Sequence, residues 1–531
     1  MAKPKQPSVS QTSLFPFFPE SVNGRYAGLV LALVYFLLML FVSLKYHIIG
    51  DYDVETDFYW SYVPQARHIL QGTVPIEDFH GPVYPFVLAF IALGTKDLFH
   101  AGVVLSVLAA SASLYFVFEI LKKLFKSDIA LIGTILVAAN TTFVRYSYTA
   151  GTDMLFMALI TASTYFLLRD DQLRRSSIAL SAIFAAMGYL TRYNGLSAAA
   201  GIPLAIILAN LFQQPRQERI KTSVLFLGIF LLTIAPWGIY CVIQKGSFFY
   251  NRNYLNIAYE MFAKGRIGWD KYWYGEAQKF TSLTQVIFSD PVLFTRTLIR
   301  NLYDHTVSDM GLLLGWQVGV FTLFGVVSCY KYRPTAKVWG LFIIGISFFV
   351  VLLLVFYGER FSMVMLPIYA ALALKALTLP SFVKYRFWKV MHAGGVIAII
   401  LVLWTSYSSM EFNRVNIDSG PLEMVSIANW FHQNHGDEDN GKIVIARKPH
   451  IAYYLDMQLE LFPYVNSYNE LLAQMRRVNA SYLYFGQMEA GMRPQFQYLL
   501  DPRQAPKELK PLTYTTNPAA VLYKVELGAG Q

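Results

Sequence analysis

The chain has 531 residues, of which 55% are hydrophobic and only 15% are charged, and its formal net charge is +10. This composition excludes an ordinary soluble enzyme, because apolar runs of about 20 residues recur and each can cross a hydrocarbon core of about 30 Å. The positive charge does not indicate nucleic-acid binding, since the basic residues lie between the apolar runs, as expected of cytoplasmic loops.

Eleven transmembrane helices are predicted in chain order. They lie at 26–44, 98–121, 129–146, 152–168, 177–191, 196–212, 222–243, 311–330, 338–356, 361–379 and 391–410. With a cytoplasmic N-terminus, the short outside connections hold few basic residues beyond Arg145, Arg192 and Arg360. The apolar stretch 83–93 is too short to cross and is predicted to be a re-entrant or interfacial helix. We therefore expect a polytopic α-helical membrane protein with an extracytoplasmic C-terminus.

Changes in hydropathy along the chain predict a tail, a transmembrane domain with two large external loops, and a C-terminal domain. Residues 1–25 form a cytoplasmic tail, and residues 26–410 form the transmembrane domain, with large external loops at 45–97 and 244–310. Residues 411–531 are predicted to form a soluble extracytoplasmic α/β domain. Its predicted helices are 421–433 and 468–478, and its predicted strands are 442–446, 459–463, 481–485 and 520–525.

Asp57 is the first candidate catalytic residue. It follows the first transmembrane helix and begins a predicted interfacial amphipathic helix that ends at Gly72, with Tyr62, Ala66 and Ile69 on the apolar stripe. The positive end of the helix dipole would stabilise the ionised carboxylate. A carboxylate fixed beside the membrane surface can act as a general base toward a hydroxyl or an amine. The alternative is an aspartate in solvent that only caps the helix.

Four further residues fall on the same predicted side of the membrane. Asp153 begins the fourth predicted helix, where it is either a second catalytic carboxylate or a helix cap. Arg192 and Arg360 lie at outer helix ends, where a guanidinium either snorkels to headgroups or binds a donor phosphate in a bidentate manner. His80 in the first external loop is a further candidate phosphate ligand.

Three more residues are candidates for substrate binding because they lie beside the residues already named: Tyr59, Tyr193 and Glu359. No phosphate-binding Walker loop, dinucleotide fingerprint or metal-spaced His/Cys cluster occurs in the sequence. No metal ligand and no cofactor are therefore assigned, although a divalent cation is left open. The energy for a synthetic reaction would have to come from an already activated substrate, such as a phosphate-linked lipid.

The order and spacing of these residues resemble the GT-C glycosyltransferases that use polyprenyl-phosphate sugars. The most similar groups are the protein O-mannosyltransferase-like enzymes and the lipid A aminoarabinose transferases, and the resemblance covers residues 26–380. The matching landmarks are Asp57 before Gly72, His80-Gly81-Pro82 before a re-entrant stretch, Asp153 in GTDML, Arg192 in LTRYNG and Arg360 before a proline-containing helix.

The resemblance implies a GT-C-like fold and an inverting transfer of a sugar to a lipid, glycan or protein acceptor at the outer face of the membrane. The source is bacterial or archaeal, and the predicted external C-terminus together with the absence of retention signals favours a bacterial inner membrane. Asp57 would accept the proton of the acceptor, while Arg192, Arg360 and His80 would offset the charge on the leaving phosphate. Asp153 would position the acceptor or a basic partner. Two other classes stay open, namely a transporter or flippase of lipid-linked or small substrates, and a non-catalytic scaffold.

Overall fold

The structure, a computed structural model, describes residues 13–15, 24, 26–332, 334–387, 390–435 and 438–527. Most of the predicted tail 1–25 therefore lies outside the described residues. In the described part of the tail, Leu14 is buried, and the hydroxyl of Ser13 donates to the carboxylate of Asp128 at 2.6 Å. Residues 13–15 are thus packed against the helical part of the protein.

The described chain is mainly helical up to residue 245. Its helices are α1 (Ala27–Tyr46), α2 (Val63–Leu70), α3 (Val83–Thr95), α4 (Leu98–Leu124), α5 (Ser127–Ala138), α6 (Thr141–Tyr148), α7 (Thr152–Leu168), α8 (Arg175–Thr191), α9 (Leu196–Ala209) and α10 (Arg216–Lys245). The first seven predicted spans each coincide with one of these helices or with a pair of them.

The second external loop and the remaining predicted spans follow. Their helices are α11 (Tyr254–Ala258), α12 (Trp269–Tyr274), α13 (Leu283–Ser289), α14 (Pro291–Ser308), α15 (Trp316–Lys331), α16 (Ala336–Leu352), α17 (Glu359–Ser362), α18 (Leu366–Leu377), α19 (Pro380–Val383) and α20 (Ala393–Asn416). A short hairpin of β1 (Arg386–Phe387) and β2 (Met391–His392) precedes α20.

Five helical segments of the described chain are long and apolar enough to cross a membrane: α1, α4, α10, the segment Glu359–Leu377 that contains α17 and α18, and α20. The helices α5 and α6 add a sixth span if they are counted together. The helices α3, α7, α9 and α16 are apolar but shorter. The chain is a multi-pass membrane protein, and the number of eleven spans stays a prediction.

The predicted helix at 129–146 is not continuous. It is broken into α5 and α6, whose axes differ by 64°. Asn140 lies at the break, where its side-chain oxygen accepts from the backbone N–H of Phe143 at 3.1 Å and its amide donates to the carbonyl of Leu313 at 2.6 Å. Asparagine is among the best N-cap residues, so it begins a new helix here.

The helix α4 lies at the centre of the bundle and packs against α1, α3, α5, α6 and α7. Lipid is as apolar as the side chains, so the hydrophobic effect does not drive helices together in a membrane, and their association depends on close packing at small residues. A Cβ atom at Gly102 of α4 would lie 2.7 Å from the ring of Phe58 and 2.8 Å from Ala150. The glycine therefore lets the start of the first external loop seat directly on α4.

The predicted amphipathic helix of the first loop is present, although it does not lie free at an interface. It begins with a π-helical turn at Phe58–Tyr62, continues as α2, and its apolar residues Tyr62 and Ala66 are buried. The helix α2 packs against α3. Gly72 follows with φ of +83°, a left-handed conformation that glycine adopts without strain.

The C-terminal region forms an α/β domain. Its elements are α21 (Leu422–His435), β3 (Ile443–Ala446), α22 (His450–Tyr454), β4 (Gln458–Leu461), α23 (Tyr468–Arg477), β5 (Tyr482–Gly486), α24 (Gln487–Met492), β6 (Leu509–Thr516) and β7 (Ala519–Val525). The sheet order is β4-β3-β5-β7-β6, in which β3 runs parallel to β4 and β5, and β7 runs antiparallel to β5 and β6. The predicted α/β pattern is confirmed, and β6 is the strand of this sheet that was not predicted.

Helices cover both faces of this sheet. The helices α21 and α22 pack on one face, and α23 and α24 pack on the other. Every residue of the central strand β5 is consequently buried, as expected when both faces of a strand are covered.

Candidate functional site

A cavity of about 560 Å³ lies between the helical bundle and the C-terminal domain. Its size is typical of sites that hold small molecules. Its wall comes from the first external loop, the start of α7, the junction of α8 and α9, the second external loop, the turn before α18, and the C-terminal domain. Six of the eight predicted site residues line it: Asp57, His80, Asp153, Arg192, Tyr193 and Arg360.

Asp57 is the accessible carboxylate of this cavity. It precedes the π-helical turn, and its Oδ2 accepts from Nη2 of Arg360 at 3.3 Å. The side chain of Asp57 is 42% exposed. Burial alone would raise the pKa of Asp57, but the positive charges of Arg360, His80 and Arg192 outweigh it, so the pKa lies below its ordinary value. Asp57 is therefore held in its ionised form, where it can accept a proton.

Asp153 and Arg192 form a second ion pair beside the first. Asp153 lies in the first turn of α7 with its side chain only 8% exposed, and it accepts a hydrogen bond from Nη1 of Arg192. The same nitrogen donates to the hydroxyl of Thr152 at 3.2 Å. One edge of the guanidinium is thereby tied to α7, which orients the rest of the group.

Both arginines lie against the ring of Phe361. The guanidinium carbon is 5.2 Å from the ring centroid in Arg192 and 4.8 Å in Arg360. Attraction to the aromatic face helps to hold both cations in place. Guanidinium groups bind phosphate oxygens with paired hydrogen bonds, so an anion in the cavity would meet donors from two arginines.

His80 is oriented by Glu77, which is not among the site residues that the sequence predicts. A carboxylate oxygen of Glu77 accepts from the backbone N–H groups of Phe79 and His80 and lies 2.9 Å from Nδ1 of His80. This contact holds Nδ1 of His80 against the carboxylate and leaves Nε2 for a ligand. The backbone carbonyl of His80 accepts from the hydroxyl of Tyr193 at 3.2 Å, which joins the first loop to the end of α8.

Gly81 brings this loop into backbone contact with α8. A Cβ atom at position 81 would lie 1.9 Å from the carbonyl oxygen of Leu190. Any side chain here would push apart the segments that carry His80 and Arg192. The glycine is needed for close approach of two backbones.

Two predicted substrate-binding residues do not line the cavity. Tyr59 is only 3% exposed, and its ring centroid lies 4.5 Å from that of His450 and 4.8 Å from that of Tyr453 in the C-terminal domain. Residues two apart on a helix project in nearly opposite directions, so Tyr59 faces away from the side that Asp57 occupies. Tyr59 packs the first loop against the C-terminal domain, and its role in substrate binding stays a prediction.

Glu359 is the second such residue. It directly precedes Arg360, and neighbouring helical positions point about 100° apart. Arg360 takes the position that faces the cavity, and Glu359 is not part of the cavity wall. That Glu359 binds substrate likewise stays a prediction.

Several cavity residues are not among the site residues that the sequence predicts. They include Asn194, Trp269, Trp273 and Arg447. In the described chain, the buried Oδ1 of Asn194 and the buried Nε1 of Trp273 have no hydrogen-bond partner. Buried polar atoms are normally paired, so these two are available to a polar ligand. Asn194 lies two positions after Arg192, and that spacing is the one signal in the sequence that could have found it.

The C-terminal domain forms one wall of the cavity. Arg447, Pro449 and Leu461 line it directly. Asp270 of the second external loop accepts from Arg447 at 3.1 Å and from Arg493 at 2.6 Å. This pair of ionic contacts joins the second loop to the domain across the site.

The sequence assigns no metal ligand and leaves a divalent cation open. Within the described ranges, no group of three or more His, Cys, Asp or Glu residues is placed to hold a metal ion.

Comparison with known proteins gives one family match. Residues 79–240 match the family described as dolichyl-phosphate-mannose-protein mannosyltransferase. The matched stretch contains His80, Asp153 and Arg192 and covers less than half of the chain. No curated protein sequence matches the chain at a significant level.

Solved structures match nearly the whole chain. ArnT from Cupriavidus metallidurans bound to undecaprenyl phosphate aligns with a TM-score of 0.58 and 12% identity over 96% of this chain and 100% of that chain. The oligosaccharyltransferase of Archaeoglobus fulgidus in complex with zinc and sulfate gives a TM-score of 0.57 and 14% identity over 92% and 73%. A mutant of the arabinofuranosyltransferase AftD from Mycobacteria gives 0.51 and 13% over 95% and 42%.

The chain therefore has the GT-C fold, and the predicted resemblance to the GT-C superfamily is confirmed. At 12–14% identity these structures establish the fold of the chain. Its substrates have to be argued from the cavity.

Proposed function

We propose that this protein is an integral-membrane glycosyltransferase that moves a sugar from a polyprenyl-phosphate donor to an acceptor. The observation that carries the proposal is the placement of Asp57, Arg360, Arg192 and His80 around one cavity. Such a site needs a proton acceptor next to groups that bind a phosphate, and these four residues supply both. ArnT, whose fold this chain shares, is described as bound to undecaprenyl phosphate.

The proposed reaction is a single displacement. Asp57 accepts the proton of the acceptor hydroxyl or amine as its oxygen or nitrogen bonds to the anomeric carbon. The bond from that carbon to the phosphate oxygen breaks, and polyprenyl phosphate leaves with the electron pair. Attack from the side opposite to the phosphate inverts the anomeric centre. No separate general acid is required, because a phosphate is a competent leaving group.

The arginines stabilise the charge that grows on the leaving phosphate. Arg360 contacts Asp57 through a single nitrogen at 3.3 Å, so its other N–H groups can reach a phosphate. Arg192 is held in position by Asp153. In this proposal Asp153 orients an arginine and takes no part in proton transfer. Fixed donors aimed at developing charge typically contribute about 10²–10³-fold in kcat each.

The acceptor is a lipid, a glycan or a protein, and the reaction takes place at the extracytoplasmic face. The orientation rests on the distribution of Lys and Arg between the predicted loops. With the N-terminus in the cytoplasm, the cavity and the C-terminal domain lie outside. The cellular location that we propose is a bacterial inner membrane.

The experiment that tests this function separates it from transport. The purified chain in liposomes is given labelled polyprenyl-phosphate sugars, together with membrane extract from cells that lack the protein as the source of acceptor. The proposal predicts that label moves to an acceptor and that polyprenyl phosphate is released. Label that crosses the bilayer without transfer would identify a flippase, and label that neither moves nor transfers would contradict both.

A further inference from the structure

A second pocket adjoins the catalytic cavity on the side of the C-terminal domain. Its volume is about 390 Å³. Its wall combines three exposed rings with charged and amide groups: Trp60, Tyr274, Leu459, Glu460, Leu461, Pro463, Tyr464, Gln474 and Arg477. None of these residues lies in the stretch 79–240 that matches the family.

The pocket and the catalytic cavity share part of their walls. Trp60, Tyr274 and Leu461 line both of them. Trp60 lies three residues after Asp57, on the same helical turn. A molecule held in the second pocket can therefore extend past Trp60 into the cavity that Asp57 lines, as an acceptor must.

The rings of the pocket present faces on which a sugar can stack. Trp60, Tyr274 and Tyr464 are 44%, 48% and 46% exposed. The ring planes of Tyr274 and Tyr464 are inclined by only 15°, with centroids 6.2 Å apart. The negative face of an aromatic ring attracts the C–H groups on the apolar face of a sugar. An interfacial aromatic belt faces lipid, whereas these rings line a concave pocket.

The polar groups of the pocket suit hydroxyls. Gln474 donates to Glu460 at 3.0 Å, which orients both side chains. Arg477 forms no ion pair with any residue in the described part of the chain. Carboxylate, amide and guanidinium groups together can accept from and donate to the hydroxyls of a sugar. The aliphatic wall is confined to Leu459, Leu461 and Pro463, which is too little for a lipid chain.

We propose that this pocket, here named the acceptor pocket, binds a saccharide unit of the acceptor. The inference rests on the proposed function and narrows it, because the acceptor is then a glycan or a glycolipid headgroup. The first and second external loops and the C-terminal domain select the acceptor by holding its sugar against the exposed rings of Trp60, Tyr274 and Tyr464. The C-terminal domain thus determines acceptor specificity.

A binding experiment tests the inference without depending on transfer. The full-length protein in detergent is applied to an array of neutral and acidic oligosaccharides, with unglycosylated peptides on the same array. We expect binding to a defined class of saccharide, weakened about tenfold by Tyr464→Ala, because one stacked ring of this kind is worth up to about a factor of ten. Tyr464→Phe should retain binding, since the ring and not the hydroxyl carries the contact.

Matched controls come from the same domain. Tyr514 is exposed and lies outside the acceptor pocket, so Tyr514→Ala should bind as the unaltered protein does. Arg477 and Arg476 are exposed neighbours on α23, and only Arg477 lines the pocket. Arg477→Ala should weaken saccharide binding, and Arg476→Ala should not.

The outcomes distinguish this inference from the proposed function. Saccharide binding by Asp57→Asn that matches the unaltered protein, with loss of transfer, would support both. If the unaltered protein binds saccharide but neither it nor any variant transfers sugar, the acceptor pocket would be supported and the proposed function contradicted. Binding to peptides alone, no saccharide binding, or saccharide binding unchanged in Tyr464→Ala and Arg477→Ala would overturn the inference.

Discussion

Substituting alanine for Gly81 tests how closely the site must be assembled. The added Cβ atom would lie 1.9 Å from the carbonyl oxygen of Leu190 and 2.5 Å from its carbonyl carbon. Both neighbours are backbone atoms, so no flexible side chain can move aside. An approach of at least 3.0 Å requires the loop and the end of α8 to separate by about 1 Å, the scale of misplacement that matters in catalysis.

The separation falls between two groups that we assign to the same phosphate. Position 81 directly follows His80, and Leu190 lies two residues before Arg192. A displacement of about 1 Å at a catalytic constellation costs about 100-fold in rate. We therefore expect Gly81→Ala to lower single-turnover release of polyprenyl phosphate by about 100-fold.

The control is a glycine in the helix that follows. A Cβ atom at Gly94 of α3 would meet no atom within 4 Å. Gly94→Ala should therefore transfer sugar at the unaltered rate. Size-exclusion chromatography and helix content measured by circular dichroism check that both variants fold. A folded Gly81→Ala variant with the unaltered rate would refute the argument that His80 and Arg192 act on one phosphate.

The other predictions concern charge, docking and stereochemistry. Arg360→Gln removes the largest cationic influence that lowers the pKa of Asp57, so that pKa rises. The ionised base is lost as the pH falls through its pKa, so the variant should lose transfer at a higher pH than the unaltered protein does. A pH–rate profile measures this shift, and an acid limb at the same pH in both proteins would contradict the pairing of Arg360 with Asp57. Asp270→Asn removes the carboxylate partner of two arginines and should destabilise the docked C-terminal domain by about 3–5 kcal/mol in denaturant unfolding. The control Asp456→Asn breaks an exposed ion pair with Arg67 and should cost less than about 1 kcal/mol. Equal effects of the two substitutions would refute the role of Asp270 in docking the domain. Nuclear magnetic resonance of the product should show the anomeric configuration opposite to that of the donor, and retention would exclude a single displacement.

The sequence predicts the helical part of the fold well because lipid exposure demands long apolar runs. All eleven predicted spans coincide with helices, and the α/β pattern of the C-terminal region is confirmed. The strand β6 is not predicted because it lies at the sheet edge, where half of its residues are exposed and only Leu509 is buried. It also contains Pro511 next to a register shift, and proline is tolerated only on such edge strands.

The candidate site is predictable in part. Asp57 and Arg360 are 303 residues apart, and the sequence places them only on the same side of the membrane. Their 3.3 Å contact depends on how the bundle packs, which no local pattern encodes. The contact of Tyr59 with the C-terminal domain is likewise not predictable, because it depends on how that domain docks. Arg447 is missed because its role arises from docking of that domain over the cavity.

The most direct test of the proposed function compares two neighbouring aspartates. Asp57 lines the cavity, and Asp53 is exposed outside it. Each is replaced by asparagine, and sugar transfer from a polyprenyl-phosphate donor is measured with the purified proteins in liposomes. Loss of a positioned general base costs about 10²–10⁴-fold, so Asp57→Asn should lose transfer by that factor while Asp53→Asn keeps it. Transfer by Asp57→Asn at the unaltered rate would contradict the assignment of Asp57 as the general base.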